Sequence, residues 1–209
     1  MNSNYQVGDL IYDANIYDGM NTDLADLHFY KRWLPKSKDA RILELCCGTG
    51  RLTLPIAKDG YNISGVDYTS SMLDQAKIKA SEAGLEIRFI EADIRTFKIL
   101  QEKIRSCLLF HFNSIHHLYK NEDLFRAFNV VKNHLKEGGL FLLDCFNPNI
   151  QYIVEGEKEP KEIAAYTTDD GREVLIKQTM RYESKTQIKS YRMALFLSMV
   201  NSILFKIWI

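Results

Sequence analysis

Three acidic residues and a glycine-rich loop are the features of this sequence best suited to chemistry. Glu44, Asp67 and Asp93 each lie in or directly after an apolar segment, and the loop from Cys46 to Gly50 follows the first of these segments. Glycines let the backbone pass close to a ligand, and the N-terminus of a following helix offers unpaired N–H groups to an anion. An acid one strand beyond such a loop can accept both hydroxyls of a ribose. We therefore expect the three carboxylates to line one pocket.

A nicotinamide dinucleotide site is the main alternative for such a loop. It requires the spacing G-x-G-x-x-G, and the position of the third glycine is Thr53 here. A carboxylate at Glu44 would gain little beside a pyrophosphate, whereas it suits a ligand with an ammonium or sulfonium next to a ribose. For each acid taken singly a structural role stays open, because Glu44 could hold a turn and Asp67 could cap the helix near Ser70.

The elements that must position these residues alternate in type from residue 41 onward. The pattern predicts strands at 41–46, 61–67, 86–92, 107–113 and 140–145, and helices at 51–58, 70–83 and 122–136. Near-continuous apolar strands that alternate with helices indicate a parallel sheet covered on both faces. We predict an α/β fold with a doubly wound, mostly parallel, Rossmann-like sheet whose ligands bind at the carboxyl ends of the strands.

Segments of a different kind flank this core. Residues 22–35 predict an amphipathic helix, and 162–168, 173–184 and 187–196 predict an antiparallel β insertion with a turn at 169–171. We expect three parts: an N-terminal helical segment (1–38), the ligand-binding core (39–149) and a β-rich part with an apolar tail (150–209). The tail at 194–209 is shorter than a membrane span. It is interpreted as a buried terminal element, a membrane-surface anchor, or a truncated or frame-altered end.

Composition narrows the class of partner. The 209 residues carry 27 basic and 27 acidic side chains, and this neutral balance argues against an electrostatic nucleic-acid binder. The four cysteines form no C-x-x-C pair, so neither a metal site nor a disulfide framework is predicted. The N-terminus has no basic start or apolar run, so we expect no signal peptide and a cytoplasmic protein without a membrane partner.

Residues 40–149 resemble the class I S-adenosylmethionine-dependent methyltransferases, particularly bacterial small-molecule enzymes with the first motif L-E-L-G-C-G-T-G-R. The resemblance implies S-adenosylmethionine as the cofactor. It also implies a set of cofactor-binding residues: Tyr17, Glu44, Cys46, Gly48, Gly50, Arg51, Asp67, Tyr68, Met72, Asp93, Ile94 and Asn113. Within this set, Arg51 would pair with the cofactor carboxylate. Cys46 replaces the first glycine of the family loop, and we expect it to be tolerated because only a positive φ would make it costly.

The same resemblance implies an enzyme that methylates a nitrogen or oxygen atom of a small molecule. His116 is the first candidate for a base or for an acceptor-orienting group, since histidine titrates near neutral pH. The helix that carries Asp26, Phe29 and Tyr30 resembles the N-terminal lid of these enzymes, or simply packs over the sheet. Two alternatives stay open, a catalytically inactive cofactor-binding protein and an NAD-dependent oxidoreductase. A homodimer is a further expectation.

Overall fold

The computed structural model describes residues 14–98, 105–110, 114–145, 147, 150–155, 159–167, 173–183, 185 and 188–197. The helices in these ranges are α1 (Ala14–Met20), α2 (Ala25–Trp33), α3 (Thr53–Lys58), α4 (Ser70–Glu82), α5 (Asn121–His134) and α6 (Ile150–Glu155), with a 3-10 helix at Ser114–His117. The strands are β1 (Ile42–Leu45), β2 (Ile63–Asp67), β3 (Arg88–Glu91), β4 (Arg105–Phe110), β5 (Leu135–Leu143), β6 (Lys161–Thr167), β7 (Glu173–Glu183) and β8 (Ile188–Leu197).

The first five strands form one parallel sheet in the order β3-β2-β1-β4-β5. β1 is central, with Leu45 paired to Val66 on one side and to Phe110 on the other. The chain runs outward from β1 to β3 and then returns to β4 on the opposite side. The strand order therefore reverses between β1 and β4, where open α/β sheets bind ligands. The predicted doubly wound α/β fold is confirmed.

Alternate residues of β1 face two separate apolar clusters. Ile42 packs with Tyr30 of α2 and Ile56 of α3, whereas Leu43 packs with Val131 of α5. Successive side chains of a strand point to opposite faces. Helices therefore cover this sheet on both sides, which explains why β1 is buried at every position.

The antiparallel sheet predicted for the C-terminal part is also present, in the order β6-β7-β8. Both of its strand pairs are antiparallel. The chain divides into two compact units: one is Asp23–Phe146, and the other joins Met1–Thr22 with Asn147–Ile209. This division groups α2 with the parallel sheet. The three parts expected from the sequence stay a prediction.

Several element boundaries differ from those predicted. α2 begins at Ala25, whose backbone N–H donates to Oδ1 of Asp23 at 2.8 Å, and not at residue 22. α5 ends at His134, and β5 follows at once with a register irregularity around Gly138, whose φ is +71°. No helix within the described ranges is long and apolar enough to cross a bilayer. The apolar residues 198–209 lie outside the described residues.

Gly65 of β2 provides a test of how tightly this sheet packs beneath the loop. A Cβ at this position would lie 2.6 Å from Sγ of Cys47 and 3.0 Å from Cδ1 of Phe89. We expect Gly65→Ala to lower the free energy of unfolding by about 1–3 kcal/mol, because overpacking a close-packed interior forces its neighbours to move. Urea denaturation measures this change.

The double variant Gly65→Ala/Cys47→Ala is the control for this interpretation. Removing Sγ of Cys47 relieves the closest contact, so the two substitutions should cost less together than the sum of their separate costs. Strict additivity, or a neutral Gly65→Ala, would contradict the packing explanation.

Candidate functional site

The loop after β1 turns the chain by placing alternate residues in the left-handed region. The φ angles of Cys46, Gly48 and Gly50 are +57°, +54° and +81°. Within the loop, the Gly50 N–H donates to the carbonyl of Cys47 at 2.9 Å. α3 begins shortly after the loop, at Thr53. The arrangement is the predicted strand, tight loop and helix start.

The two glycines of this loop have different surroundings. A Cβ added at Gly48 would meet no atom within 4 Å, so the space beside this peptide is open. A Cβ added at Gly50 would lie 2.2 Å from Cδ1 of Leu54. Gly48 therefore has open space beside its backbone, whereas Gly50 allows the loop to pack against α3.

Cys46 is the one non-glycine residue with a positive φ within the described ranges. The condition under which Cys46 was expected to be costly is therefore met, because its backbone adopts the conformation that penalises a Cβ. The left-handed region costs an L-residue roughly 1–2 kcal/mol. Strain of this kind is typically found at ligand sites, where the surrounding structure holds it in place.

Glu44 lies beneath the loop and has no exposed surface. Thr53, the first residue of α3, donates a short hydrogen bond from its hydroxyl to Oε2 of Glu44. Glu44 is thus bonded to the start of α3, and its contact with a cofactor stays a prediction.

Asp67 ties the loop to the end of β2. Its Oδ2 accepts from the Gly48 N–H at 2.8 Å, and its Oδ1 accepts from the Thr69 N–H at 2.9 Å. Burial raises the pKa of this carboxyl, and the hydrogen bonds from the backbone of Thr69 and Gly48 oppose the rise. Asp67 is only partly buried. It can therefore hold the loop in place and still present lone pairs to a ligand.

Asp93 has a protein partner that sequence reasoning missed. Arg95 binds both of its carboxylate oxygens, with Nη2 at 2.6 Å from Oδ2 and Nε at 2.9 Å from Oδ1. The hydrogen bond from the Arg95 side chain lowers the pKa of Asp93, although partial burial opposes it. Arg95 also reaches Oδ2 of Asp123 on α5 at 3.4 Å. The charge expected to face the adenine is thus neutralised.

The three acids share one sheet edge, but each has its own partner. The edge is common because the Cys47 N–H donates to Val66 and the Ala92 N–H donates to Asp67, which continues both strand pairings beyond their ends. Burial and then the charges of Asp67, Glu44 and Asp93 raise the pKa of the Cys46 thiol, which places this thiol within electrostatic reach of all three. All three acids thus lie near the loop, and the expectation that they line one pocket stays a prediction.

Arg51, which the resemblance assigns to the cofactor carboxylate, has protein partners at and before the start of α2. Its guanidinium binds both oxygens of Asp26 on α2, and its Nη1 donates to the carbonyl of Asp23 at 2.6 Å. The Arg51 side chain is only 6% exposed. No local signal could have indicated this pair, since α2 and the loop are far apart in the sequence.

A second contact attaches α2 to the sheet. The fully buried Tyr30 donates its hydroxyl to Oδ2 of Asp144 at 2.7 Å, directly beyond β5. Burial and the bond to Asp144 raise the pKa of Tyr30, and the charges of Asp26 and Glu44 add to the rise. α2, the helix that resembles a lid, is therefore attached at two points, to Arg51 after β1 and to Asp144 after β5.

The two adjacent histidines of the 3-10 helix lie on different faces. Residues three apart share a face of a 3-10 helix, and Ile115 and Leu118 both pack against the apolar cluster under α5. His116 and His117 therefore occupy the two remaining faces. His117 keeps substantial exposed surface, yet desolvation of its ring lowers its pKa, the charge of His116 lowers it further, and Asp67 opposes the shift.

The remaining predicted residues differ in accessibility. Tyr68 is 72% exposed beside Asp67, whereas Met72 and Ile94 are buried. Tyr17 lies on α1 in the other unit, so its part in the site stays a prediction. Asn113 lies outside the described residues.

Part of this chain is similar in sequence to known proteins. Residues 42–139 match the methyltransferase domain family. A 23S rRNA (uracil(1939)-C(5))-methyltransferase of Shewanella halifaxensis is 43% identical over 63 residues, which are 30% of this chain and 14% of that protein. The chain spans between 14% and 53% of the length of the first curated relatives it matches.

Solved structures extend the likeness over more of the chain. An S-adenosylmethionine-dependent methyltransferase from Clostridium acetobutylicum is 26% identical with a TM-score of 0.67, covering 90% of this chain and 75% of that one. A sugar N-methyltransferase from Streptoalloteichus is 17% identical with a TM-score of 0.71, covering 95% and 74%. The resemblance to the class I methyltransferases is confirmed, and these findings do not favour the NAD-dependent alternative.

The backbone strain at Cys46 can be measured by comparing alanine and glycine at two neighbouring positions. Both substitutions at Cys46 remove the thiol, so they differ only in the Cβ that a φ of +57° penalises. We expect Cys46→Gly to be more stable than Cys46→Ala by about 1 kcal/mol. At Cys47, which has no positive φ, the order should reverse by roughly 0.5–1 kcal/mol. Equal stability of the two Cys46 variants in urea denaturation would show that no strain is stored there.

The pairing of Asp93 with Arg95 has a consequence for pH dependence. The pKa of Asp93 is lowered in the folded state, so the pair contributes stability above the unfolded pKa, and this contribution is lost as the pH falls through the folded pKa. Arg95→Gln should raise the pKa of Asp93, as measured by carboxyl carbon NMR.

The control is Arg126→Gln, because Arg126 lies 3.7 Å from Oδ1 of Asp123 and is not paired with Asp93. An Asp93 pKa that responds equally to both substitutions would show that general surface charge, and not the direct pair, sets its value.

Proposed function

Because the chain carries a class I S-adenosylmethionine-dependent methyltransferase domain, we propose that it transfers the methyl group of this cofactor to a nitrogen or oxygen atom of a small molecule. The observation that supports this most directly is the loop after β1. Its left-handed residues expose the backbone at Gly48 to open space, and the carboxylate of Asp67 lies against the same peptide.

The accessible residues fit a positively charged nucleoside. The backbone around Gly48 would lie along the methionine part, where a side chain would occupy the ligand's space. Asp67 would accept the ribose hydroxyls, and the exposed ring of Tyr68 would lie beside the adenine. Glu44 would act through its charge, because the field of a buried carboxylate is weakly screened.

The bound cofactor supplies an electrophilic methyl group on a sulfonium. Since this electrophile is already activated, the protein's part is to align the acceptor and exclude water. A base is needed only if the acceptor is protonated at the start. His116 stays our prediction for that base, and the lowered pKa of His117 makes it a second candidate, since a neutral imidazole can accept a proton. Exchanging each for Gln in a turnover assay separates them.

The charge balance of the chain and its likeness to a solved structure favour a small molecule as the methyl acceptor. The chain has no excess of basic residues to neutralise a phosphate backbone. The solved sugar N-methyltransferase with this fold acts on a small molecule by its description, and its likeness extends over nearly the whole chain. The match to the rRNA enzyme covers only 14% of that protein. A homodimer and a cytoplasmic location stay predictions.

Isothermal titration with S-adenosylmethionine tests the cofactor half of the proposal. We expect the wild-type chain to bind it and not NAD. Asp67→Ala should weaken binding about 10- to 100-fold, since a hydrogen bond to a charged group is worth roughly 1.5–3 kcal/mol. Binding should also weaken as the pH falls through the raised pKa of Asp67, because the protonated carboxyl accepts hydroxyls poorly.

The matched control is Asp74→Ala, which removes a carboxylate from the exposed surface of α4. It should leave the affinity unchanged. Absence of binding by the wild type, or equal affinity of the two variants, would refute the assignment of the site. Binding without turnover against a panel of amines and alcohols would instead indicate the catalytically inactive alternative.

A further inference from the structure

Arg51 is the first residue after the last glycine of the loop, and its protein contacts fix the orientation of its guanidinium. Both of its terminal nitrogens contact the carboxylate of Asp26, and Nη1 also donates to the carbonyl of Asp23. A two-pronged pair between arginine and a carboxylate restricts geometry far more than a single contact does. The pair therefore sets where the backbone of residue 51 lies.

The position of that backbone matters because it fixes the far end of the loop. Gly50 adopts a φ of +81°, which only glycine reaches easily. The next intrahelical bonds come after it, with the Leu54 N–H donating to Gly50 and the Ile56 N–H donating to Leu52. Asp67 anchors the loop at Gly48. Arg51 anchors it three residues later, through Asp26.

The partner helix is itself fixed on the same face. Asp26 and Tyr30 are one helical turn apart in α2, so both side chains leave the helix in the same direction. Tyr30 binds Asp144 beyond β5. With these two contacts, α2 resists both sliding and rotation, and it provides a rigid support for Arg51.

We propose that Asp26 is a positioning residue of the cofactor site, which acts by holding Arg51 and thereby the end of the glycine loop. Arg51 is then a structural link and not the ligand of the cofactor carboxylate. This inference rests on the proposed binding of S-adenosylmethionine. It adds a residue of α2, outside the loop and the strand ends, to the cofactor site.

A second ion pair on the same helix provides the matched control. Lys31 of α2 binds Oδ2 of Asp59 at 2.6 Å. The side chain of Lys31 is 34% exposed and that of Asp59 is 42% exposed. It joins α2 to the C-terminal end of α3, away from the glycine loop. Asp59→Asn removes the acidic partner of Lys31, and Asp26→Asn removes the acidic partner of Arg51. We expect only Asp26→Asn to release the loop.

The experiment measures the affinity for S-adenosylmethionine by isothermal titration, with the melting temperature of the ligand-free protein recorded for each variant. We expect Asp26→Asn to weaken binding by roughly tenfold, because breaking the charge-assisted pair releases the end of the loop that Arg51 holds. Arg51→Lys, which keeps the charge but loses the fork, should weaken it similarly. Asp59→Asn should bind like the wild type.

Loss of stability is separated from loss of position by Val131→Ala. Val131 is a buried residue of α5 on the face of the sheet opposite α2, so this variant is destabilised without removing a contact of α2. It should retain wild-type affinity when folded. If the affinities of Val131→Ala and Asp26→Asn both fell in proportion to their melting temperatures, the positioning role of Asp26 would be overturned.

The sign of the Asp26→Asn effect also decides between the two roles of Arg51. If Arg51 were a ligand of the cofactor carboxylate, releasing it from Asp26 would leave binding unchanged or tighten it, and this result would overturn the inference. A wild type that binds no S-adenosylmethionine would instead refute the proposed function. The two failures are therefore distinguishable.

Discussion

The left-handed backbone between β1 and α3 is the constraint on which the site depends. Three alternate positive φ angles turn the chain sharply enough for the Cys47 N–H to continue the pairing with β2, so that α3 can start almost at once. Such a turn is intrinsically unfavourable for any residue with a Cβ. It persists because Asp67, Glu44 and the Arg51–Asp26 pair hold the loop and the start of α3 from three directions. The groups assigned to ligand binding are thus also structural supports.

The sheet could be predicted from sequence because its physics is local. A strand buried on both faces reads as an uninterrupted apolar run, as Ile42 to Leu45 does, and the glycine at position 84 ends α4 with a positive φ. The edge at which Asp67 and Asp93 meet then follows from topology alone. The boundary between α5 and β5 was harder to predict, because β5 starts at Leu135, before the register irregularity near Gly138.

The partners of the charged residues could not be predicted in the same way. Asp26 and Arg51 are 25 residues apart, and neither position carries a periodic signal that relates it to the other. Arg95 is a near neighbour of Asp93, but its contact depends on the turn that follows β3. Sequence reasoning assigned the three acids to the ligand as a set, because they end neighbouring strands. In the structure, Asp93 and Arg51 are each paired with an opposite charge of the protein.

The two glycines of the loop lead to different expectations for evolution. At position 50 a side chain would collide with Leu54, so a glycine retained there in any homologue is explained by packing alone. At position 48 no atom of the described residues lies within 4 Å of an added Cβ, and Cys46 shows that this loop accepts a left-handed residue other than glycine. Homologues that have lost the cofactor should therefore acquire side chains first at position 48, which makes this single position a marker for separating binding from non-binding descendants of the fold.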